Sequence, residues 1–208
     1  MSIAIINYGA GNLRSVEKAF EAVGVDAEVT TDKATIRAAR GVVFPGVGSF
    51  DAAIKELRAL SLEGVIEEAI ALGKPFLGIC LGMQHLFETS EEGKEKGLAI
   101  LPGTVKKFNF AGTPWSNQSV PHMGWNRLLI RRRTPLFEGI DDGTMFYFAH
   151  SYYVVPKDEQ IVATGTDYGL EFVSAVRKDN IFGIQFHPEK SGAAGLTVLK
   201  NFGGLCSK

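Results

Sequence analysis

The apolar run Ile3–Ile6 is short and β-branched, so it predicts a strand, and the chain then turns through Tyr8-Gly9-Ala10-Gly11-Asn12. Leu13, Val16, Phe20 and Val23 recur at helical spacing before Gly24, which predicts a helix and its stop. Ala27–Thr30 and Gly41–Phe44 read as the second and third strands, with Ser49–Leu60 and Leu62–Leu72 as helices. Pro75–Ile79 is a fourth strand and Cys80–Phe87 a further helix. Strands alternating with helices predict parallel βαβ units covered on both faces.

Beyond the charged stretch Glu88–Gly103, which reads as a loop, the pattern changes. Thr104–Phe108, Asn126–Ile130, Met145–Val155, Ile161–Thr166 and Phe172–Arg177 are strand-like, with only short helical candidates between them. They predict an antiparallel extension of the sheet. Ile181–His187 returns as a buried strand, and Ala193–Leu205 closes the chain as a helix with Leu196, Leu199 and Phe202 inward. The expected class is therefore α/β, an open sheet with a parallel centre and an antiparallel extension, organised as one domain over residues 1–208.

Composition narrows the function. With 208 residues, 45% hydrophobic and 22% charged, the chain is neither disordered, collagenous nor a disulfide scaffold. Lys plus Arg is 22 against 23 for Asp plus Glu, so there is no broad basic field and nucleic acid is not the expected partner. Cys80 and Cys206 do not make a disulfide framework, which fits a reducing cytoplasmic setting. The N-terminus lacks a basic lead. The window Pro75–Phe87 falls short of the roughly 20 residues a membrane span needs, so no membrane association is expected.

The strongest chemical feature is Gly78-Ile79-Cys80-Leu81-Gly82, a cysteine between two glycines at a strand-to-helix junction. This is the layout of a nucleophile elbow: a sharp turn lifts the thiol off the sheet, and the helix start favours thiolate. A buried structural cysteine between packing glycines would look the same. Of the four histidines, His85 lies inside the elbow helix and is expected to point away, while His122 and His150 sit in polar-aromatic surroundings that suit structural hydrogen bonding. His187 ends an apolar run, and Pro188 pushes it toward extended geometry, so His187 and Glu189 can face the same side. Cys80, His187 and Glu189 thus make a nucleophile, base and orienter; an exposed ion pair at a strand end is the plain alternative. Acyl transfer also needs oxyanion donors. The Leu81 N–H is one, and Pro45-Gly46-Val47-Gly48-Ser49-Phe50 is the natural source of another. Neither this loop nor Gly9-Ala10-Gly11 completes a phosphate-binding pattern, Arg14 standing at the third glycine's place.

Pro45-Gly46-Val47-Gly48, Gly78-Ile79-Cys80-Leu81-Gly82-Met83-Gln84 and His187-Pro188-Glu189 together resemble the class I (triad) glutamine amidotransferases. Asn7–Asn12, Pro121–Asn126, Phe146–Tyr152 and Gln185–Ser191 further resemble the glutaminase subunits of imidazole glycerol phosphate synthases, of histidine biosynthesis. The resemblance implies a flavodoxin-like scaffold and glutamine hydrolysis through a cysteine thioester, with no cofactor and no metal. It implies Gly46, Val47, Gly48 and Leu81 at the oxyanion, and Gln84, Glu92, Ser151 and Tyr152 around bound glutamine. The ammonia would pass to a (β/α)8 cyclase subunit, with Asn12, Trp125 and Lys190 near that interface. A sister pathway's glutaminase, such as that of pyridoxal phosphate synthase, and a non-catalytic thiol sensor on the same scaffold remain open alternatives, and Arg131-Arg132-Arg133 reads either as a partner contact or as a solvated strand end.

Overall fold

Ile3 and Ile5 pack into one apolar cluster and Ala4 and Ile6 into another, so the first strand is buried on both sides. In the computed structural model, which describes residues 3–9 and 11–207, this alternation sorts the whole core. Met1, Ser2, Ala10 and Lys208 lie outside the described residues. Ala10 of the first turn and the two ends of the expected 1–208 domain are thus not described.

The first half runs β1 (Ile3–Ile6), α1 (Leu13–Ala22), β2 (Ala27–Thr30), α2 (Lys33–Ala38), β3 (Gly41–Gly46), α3 (Phe50–Ala59), α4 (Glu63–Ala71), β4 (Phe76–Cys80) and α5 (Leu81–Gln84). The second half is mostly strand: β5 (Thr89–Ser90), β6 (Gly103–Lys107), β7 (His122–Arg127), β8 (Leu129–Ile130), β9 (Met145–His150), β10 (Tyr152–Pro156), β11 (Val162–Asp167), β12 (Glu171–Lys178) and β13 (Ile181–Ile184), closed by α6 (Gly192–Leu205). Strands β2-β1-β3-β4-β13 are all parallel, and β12, β10, β6 and β5 continue the sheet beyond them, with β12, β10 and β6 each antiparallel to the strand before. That order is the flavodoxin-like one. Val16, Phe20, Leu199 and Phe202 bring α1 and α6 against one face; Ile36, Ile54, Leu57, Val65 and Ile66 bring α2, α3 and α4 against the other. No helix among the described residues is long and apolar enough to cross a membrane.

Several elements differ from the expectation. The expected strand Asn126–Ile130 is split: its first residues end β7, paired with β9, and its last form β8, paired with β11 in the main sheet. Helix α2 buries only Ile36, so it carries no apolar period; it is set by the Asp32 carboxylate, which accepts from the Thr35 N–H at 2.8 Å. The elbow helix stops at Gln84, because Leu86 and Phe87 bond three residues back rather than four. Met145–Val155 is two strands in two sheets: β9 pairs with β7 in a separate ribbon, and β10 joins the main sheet after a break at Ser151. The Glu88–Gly103 loop contributes the two-residue strand β5, paired with β6.

Gly82 lets α5 start directly under β3: a Cβ there would run into the Phe44 carbonyl oxygen. Gly64, in α4, faces open space. Gly82→Ala is expected to lower stability by about 1–3 kcal/mol and Gly64→Ala to raise it by about 0.5 kcal/mol, read as midpoints of chemical denaturation. Equal effects of the two substitutions would contradict this packing.

Candidate active site

Register places the carboxyl ends of three neighbouring parallel strands together. Gly46 of β3 lies opposite Cys80 of β4, and Ile184 of β13 opposite Ile79. The Pro45–Gly48 loop, the elbow and the segment Gln185–His187 therefore meet at one sheet edge, where ligands bind in open α/β folds. Cys80 itself has φ 54° and ψ −112°, a conformation that costs a non-glycine residue energy and turns its side chain out of the strand. Gly78 makes room for the tight return, since a Cβ there would sit 2.9 Å from Met83 backbone atoms.

His187 is 3% exposed and extended, as Pro188 requires, and the 3₁₀ turn Pro188–Lys190 folds Glu189 back onto it. Glu189 Oε1 lies 2.9 Å from His187 Nδ1. Burial opposes charge on the imidazole, but a hydrogen bond to Cys80, then the one to Glu189, and the charges of both residues outweigh it and push His187 up to about 10. The balance therefore favours the protonated ring, set between Cys80 and the Glu189 carboxylate. Its backbone is pinned as well: His187 N–H donates to the Tyr147 carbonyl (2.9 Å), and Ser191 Oγ donates to the His187 carbonyl (2.6 Å).

Val47, Gly48, Cys80, Leu81, Gln84, Glu92, Ser151 and Tyr152 line one cleft of about 210 Å³. This is below the volume of drug-sized sites and suits an amino-acid-sized ligand. Pro121, Met123, Ala149 and His150 complete its wall, residues that spacing alone did not single out. Gly46 lies beneath the cleft, its Cβ position filled by the Tyr8 hydroxyl, which donates to the Pro45 carbonyl at 2.9 Å. Burial, and then the charge of Cys80, push the Tyr8 phenol upward, so it stays a neutral donor. Glu92 reaches the cleft from the charged loop, which is lashed to α3: Asp51 accepts the N–H groups of Lys94 and Glu95, both at 3.0 Å. Glu92 Oε2 in turn accepts from Phe50 N–H at 3.0 Å; burial raises its pKa, against that bond and with help from Asp51.

His150 Nδ1 lies 2.8 Å from the Tyr152 carbonyl, which can only accept, so Nδ1 carries the proton. Its Nε2 then accepts from His122 Nδ1 (3.1 Å), and His122 Nε2 accepts from Asn126 (3.3 Å). Both rings are neutral and directional. Asn12, Trp125 and Lys190 do not join the cleft. Trp125 is 53% exposed on the outer face of the β7–β9 ribbon, opposite Tyr147, and Lys190 Nζ stands 5.8 Å from the Tyr147 ring centre. The three arginines are tied to their own chain, Arg131 to Glu171, Arg132 to the Arg177 carbonyl and Arg133 to the Ile140 carbonyl. A larger hollow of about 810 Å³ on the antiparallel extension contains neither thiol nor histidine.

The family model for glutamine amidotransferase class-I matches residues 4–203. The chain is 53% identical to "Imidazole glycerol phosphate synthase subunit HisH" of Moorella thermoacetica, over 98% of this chain and 94% of that protein. It is 52% identical to the protein of the same name from Aromatoleum aromaticum, over 96% of each. Among solved structures, one titled a glutamine amidotransferase superposes with TM-score 0.76 at 18% identity over the full length of both chains. PurLQS from Thermotoga maritima does so with TM-score 0.73 at 19% identity, over 97% of this chain and 96% of that one.

Burial lowers His85 to about 4 and His150 to about 3, against backbone hydrogen bonds that favour their charged forms. The unfolded chain protonates both near pH 6.5 while the folded chain keeps them neutral. Stability present above pH 6.5 is therefore lost as pH falls toward 5, at about 1.4 kcal/mol per pH unit for each histidine. Urea midpoints at pH 7, 6 and 5 should fall, and His85→Asn should flatten the slope; a midpoint independent of pH over this window would contradict neutral burial.

Proposed function

The chain belongs to the class I glutamine amidotransferase family, and on that premise we propose that Cys80, His187 and Glu189 are its catalytic triad. It is a glutaminase, the HisH-type subunit of imidazole glycerol phosphate synthase in histidine biosynthesis, and works with a second, synthase subunit. The observation that carries the triad is a thiol raised at a strained elbow, lining an amino-acid-sized cleft, whose neighbouring histidine Glu189 holds at 2.9 Å from behind. A thiol sensor would need neither the carboxylate behind the imidazole nor the cleft.

Glutamine lies with its side-chain amide over Cys80 and its α-carbon end toward Gln84, Glu92, Ser151 and Tyr152. The Cys80 thiolate attacks the amide carbon, and the oxygen takes the electron pair as an oxyanion facing the N–H of Leu81 and the Gly46–Gly48 segment. His187 gives its proton to the leaving nitrogen, the C–N bond breaks, and ammonia departs from the γ-glutamyl thioester. The same imidazole, now neutral, takes a proton from water as the hydroxide adds to the thioester carbon. Collapse of that second tetrahedral species breaks the C–S bond, releasing glutamate and restoring the thiolate. Free ammonia would be protonated in bulk water, so it passes directly to the partner, which we assign as the (β/α)8 cyclase. Asn12, Lys190 and the exposed face of Trp125, with Met123 and Met145 beside it, are the docking surface. The two unpaired cysteines are compatible with work in the reducing cytoplasm.

Cys80→Ala in the complex should lower glutamate release by at least about a thousandfold while leaving the thermal midpoint close to that of the wild type. Undiminished turnover would remove Cys80 from the chemistry. Asp51→Ala, which frees the loop carrying Glu92, should raise KM for glutamine roughly five- to tenfold with a smaller change in kcat; an unchanged KM would separate Glu92 from substrate binding.

A further inference from the structure

Gln185 is fully buried two residues before His187, and no part of the mechanism above uses it. Its backbone N–H continues the sheet, donating to the Ser174 carbonyl at 2.9 Å, so the residue is fixed at its root. Its side-chain carboxamide bridges two residues of the site. Oε1 lies 3.1 Å from Gln84 Nε2, and Nε2 lies 3.5 Å from Cys80 Sγ.

The polarity of this bridge follows from one atom that can only accept. Gln84 Nε2 is 3.1 Å from the Tyr152 carbonyl, so that end of the Gln84 amide must be the NH₂ group. One of its hydrogens goes to Tyr152 and the other to Gln185 Oε1. Gln185 is thereby left with its own NH₂ group toward the sulfur. His150, donating to the same carbonyl, supports this end of the chain. An N–H aimed at Sγ stabilises negative charge there and restricts where the sulfur can sit.

We propose that Gln185 is a positioning residue for the nucleophile, donating a hydrogen bond to Cys80 Sγ in a direction set through Gln84 by the Tyr152 carbonyl. It reaches the thiol from the end of β13, two residues before His187. The inference deepens the glutaminase reading and rests on it for the meaning of the thiol, but not for the contact itself.

Gln185→Glu is the decisive variant. It keeps an acceptor for Gln84 and replaces the donor at the sulfur by an oxygen. Peptide-resolved mass spectrometry of the full chain reads the rate at which iodoacetamide alkylates Cys80 at a single pH, chosen on the rising limb of the wild-type pH–rate profile, where thiolate is the minor form. A hydrogen bond to a charged sulfur favours thiolate roughly 10- to 100-fold. Because a better-stabilised thiolate is also a weaker nucleophile, about half of that effect on a logarithmic scale survives in the rate, so alkylation should slow roughly 3- to 10-fold. In the complex with the synthase subunit, kcat for glutamine should fall at least as far, with KM within about threefold of the wild type. Should the buried carboxylate prevent folding, Gln185→Met, uncharged and close in volume, puts the same question, and slowed alkylation is again the expected result. Alkylation and kcat both within about twofold of the wild type in a folded variant would overturn the proposal, since a residue that only packs would leave them so. If the wild-type complex does not hydrolyse glutamine, the glutaminase reading fails instead, and the alkylation rates still decide the role of Gln185.

Discussion

The site depends on the parallel register that sets Gly46, Cys80 and Ile184–Gln185 side by side at the carboxyl ends of β3, β4 and β13. A shift of one residue in any of these strands would turn its side chains to the opposite face. Buried alternation on both faces makes such a shift costly, because each strand would present the wrong residues to the helices on either side. The strained backbone at Cys80 is tolerable for the same reason: β4 is held between two parallel neighbours before the elbow, and α5 is wedged under Phe44 after it. Strain of order 1–3 kcal/mol is thus carried by a frame that has no other way to close.

Charge at the site is arranged by contrast. His187 is stabilised as an imidazolium by its two neighbours, whereas His85 and His150, equally buried, have no carboxylate or thiol partner and stay neutral. The neutral rings have a use that charged ones could not serve. Each is a donor on one nitrogen and an acceptor on the other, so His122 and His150 transmit a hydrogen-bond direction from Asn126 on the ribbon to the Tyr152 carbonyl beside the cleft.

The β7–β9 ribbon links the cleft to the outer surface. Its inner residues His122, Phe148 and His150 pack toward the core, while Met123 and Trp125 face outward. At Tyr147 its carbonyl receives the His187 N–H and its N–H is received by Ser191 Oγ. A protein docked on the outer face would therefore touch a strand that is bonded directly to the backbone of His187, which gives a short physical route for a partner to act on the proposed triad.

Several features were legible in the sequence because they are local. The βαβ alternation follows from apolar period, the elbow from two glycines around Cys80, and the extended His187 from Pro188; all are set by residues within a few positions of one another. The family-specific motifs added the proposed partners of Cys80 across the chain. Helix α2 was not legible, since one buried residue makes no period, and neither was the break at Ser151, since one apolar run supplied strands to two sheets. Gln185 stood in plain view before His187, yet nothing local distinguishes a packed glutamine from one aimed at a thiol. Its role depends on Gln84 and Tyr152, 101 positions from Gln185 and 68 from Gln84 respectively, and on a carbonyl that can only accept. Which residues could carry the chemistry was readable along the chain, because reactivity and backbone preference belong to residue types and near neighbours. Which way each polar group points emerged with the packed fold, because a hydrogen bond's direction is fixed by the partner across the sheet.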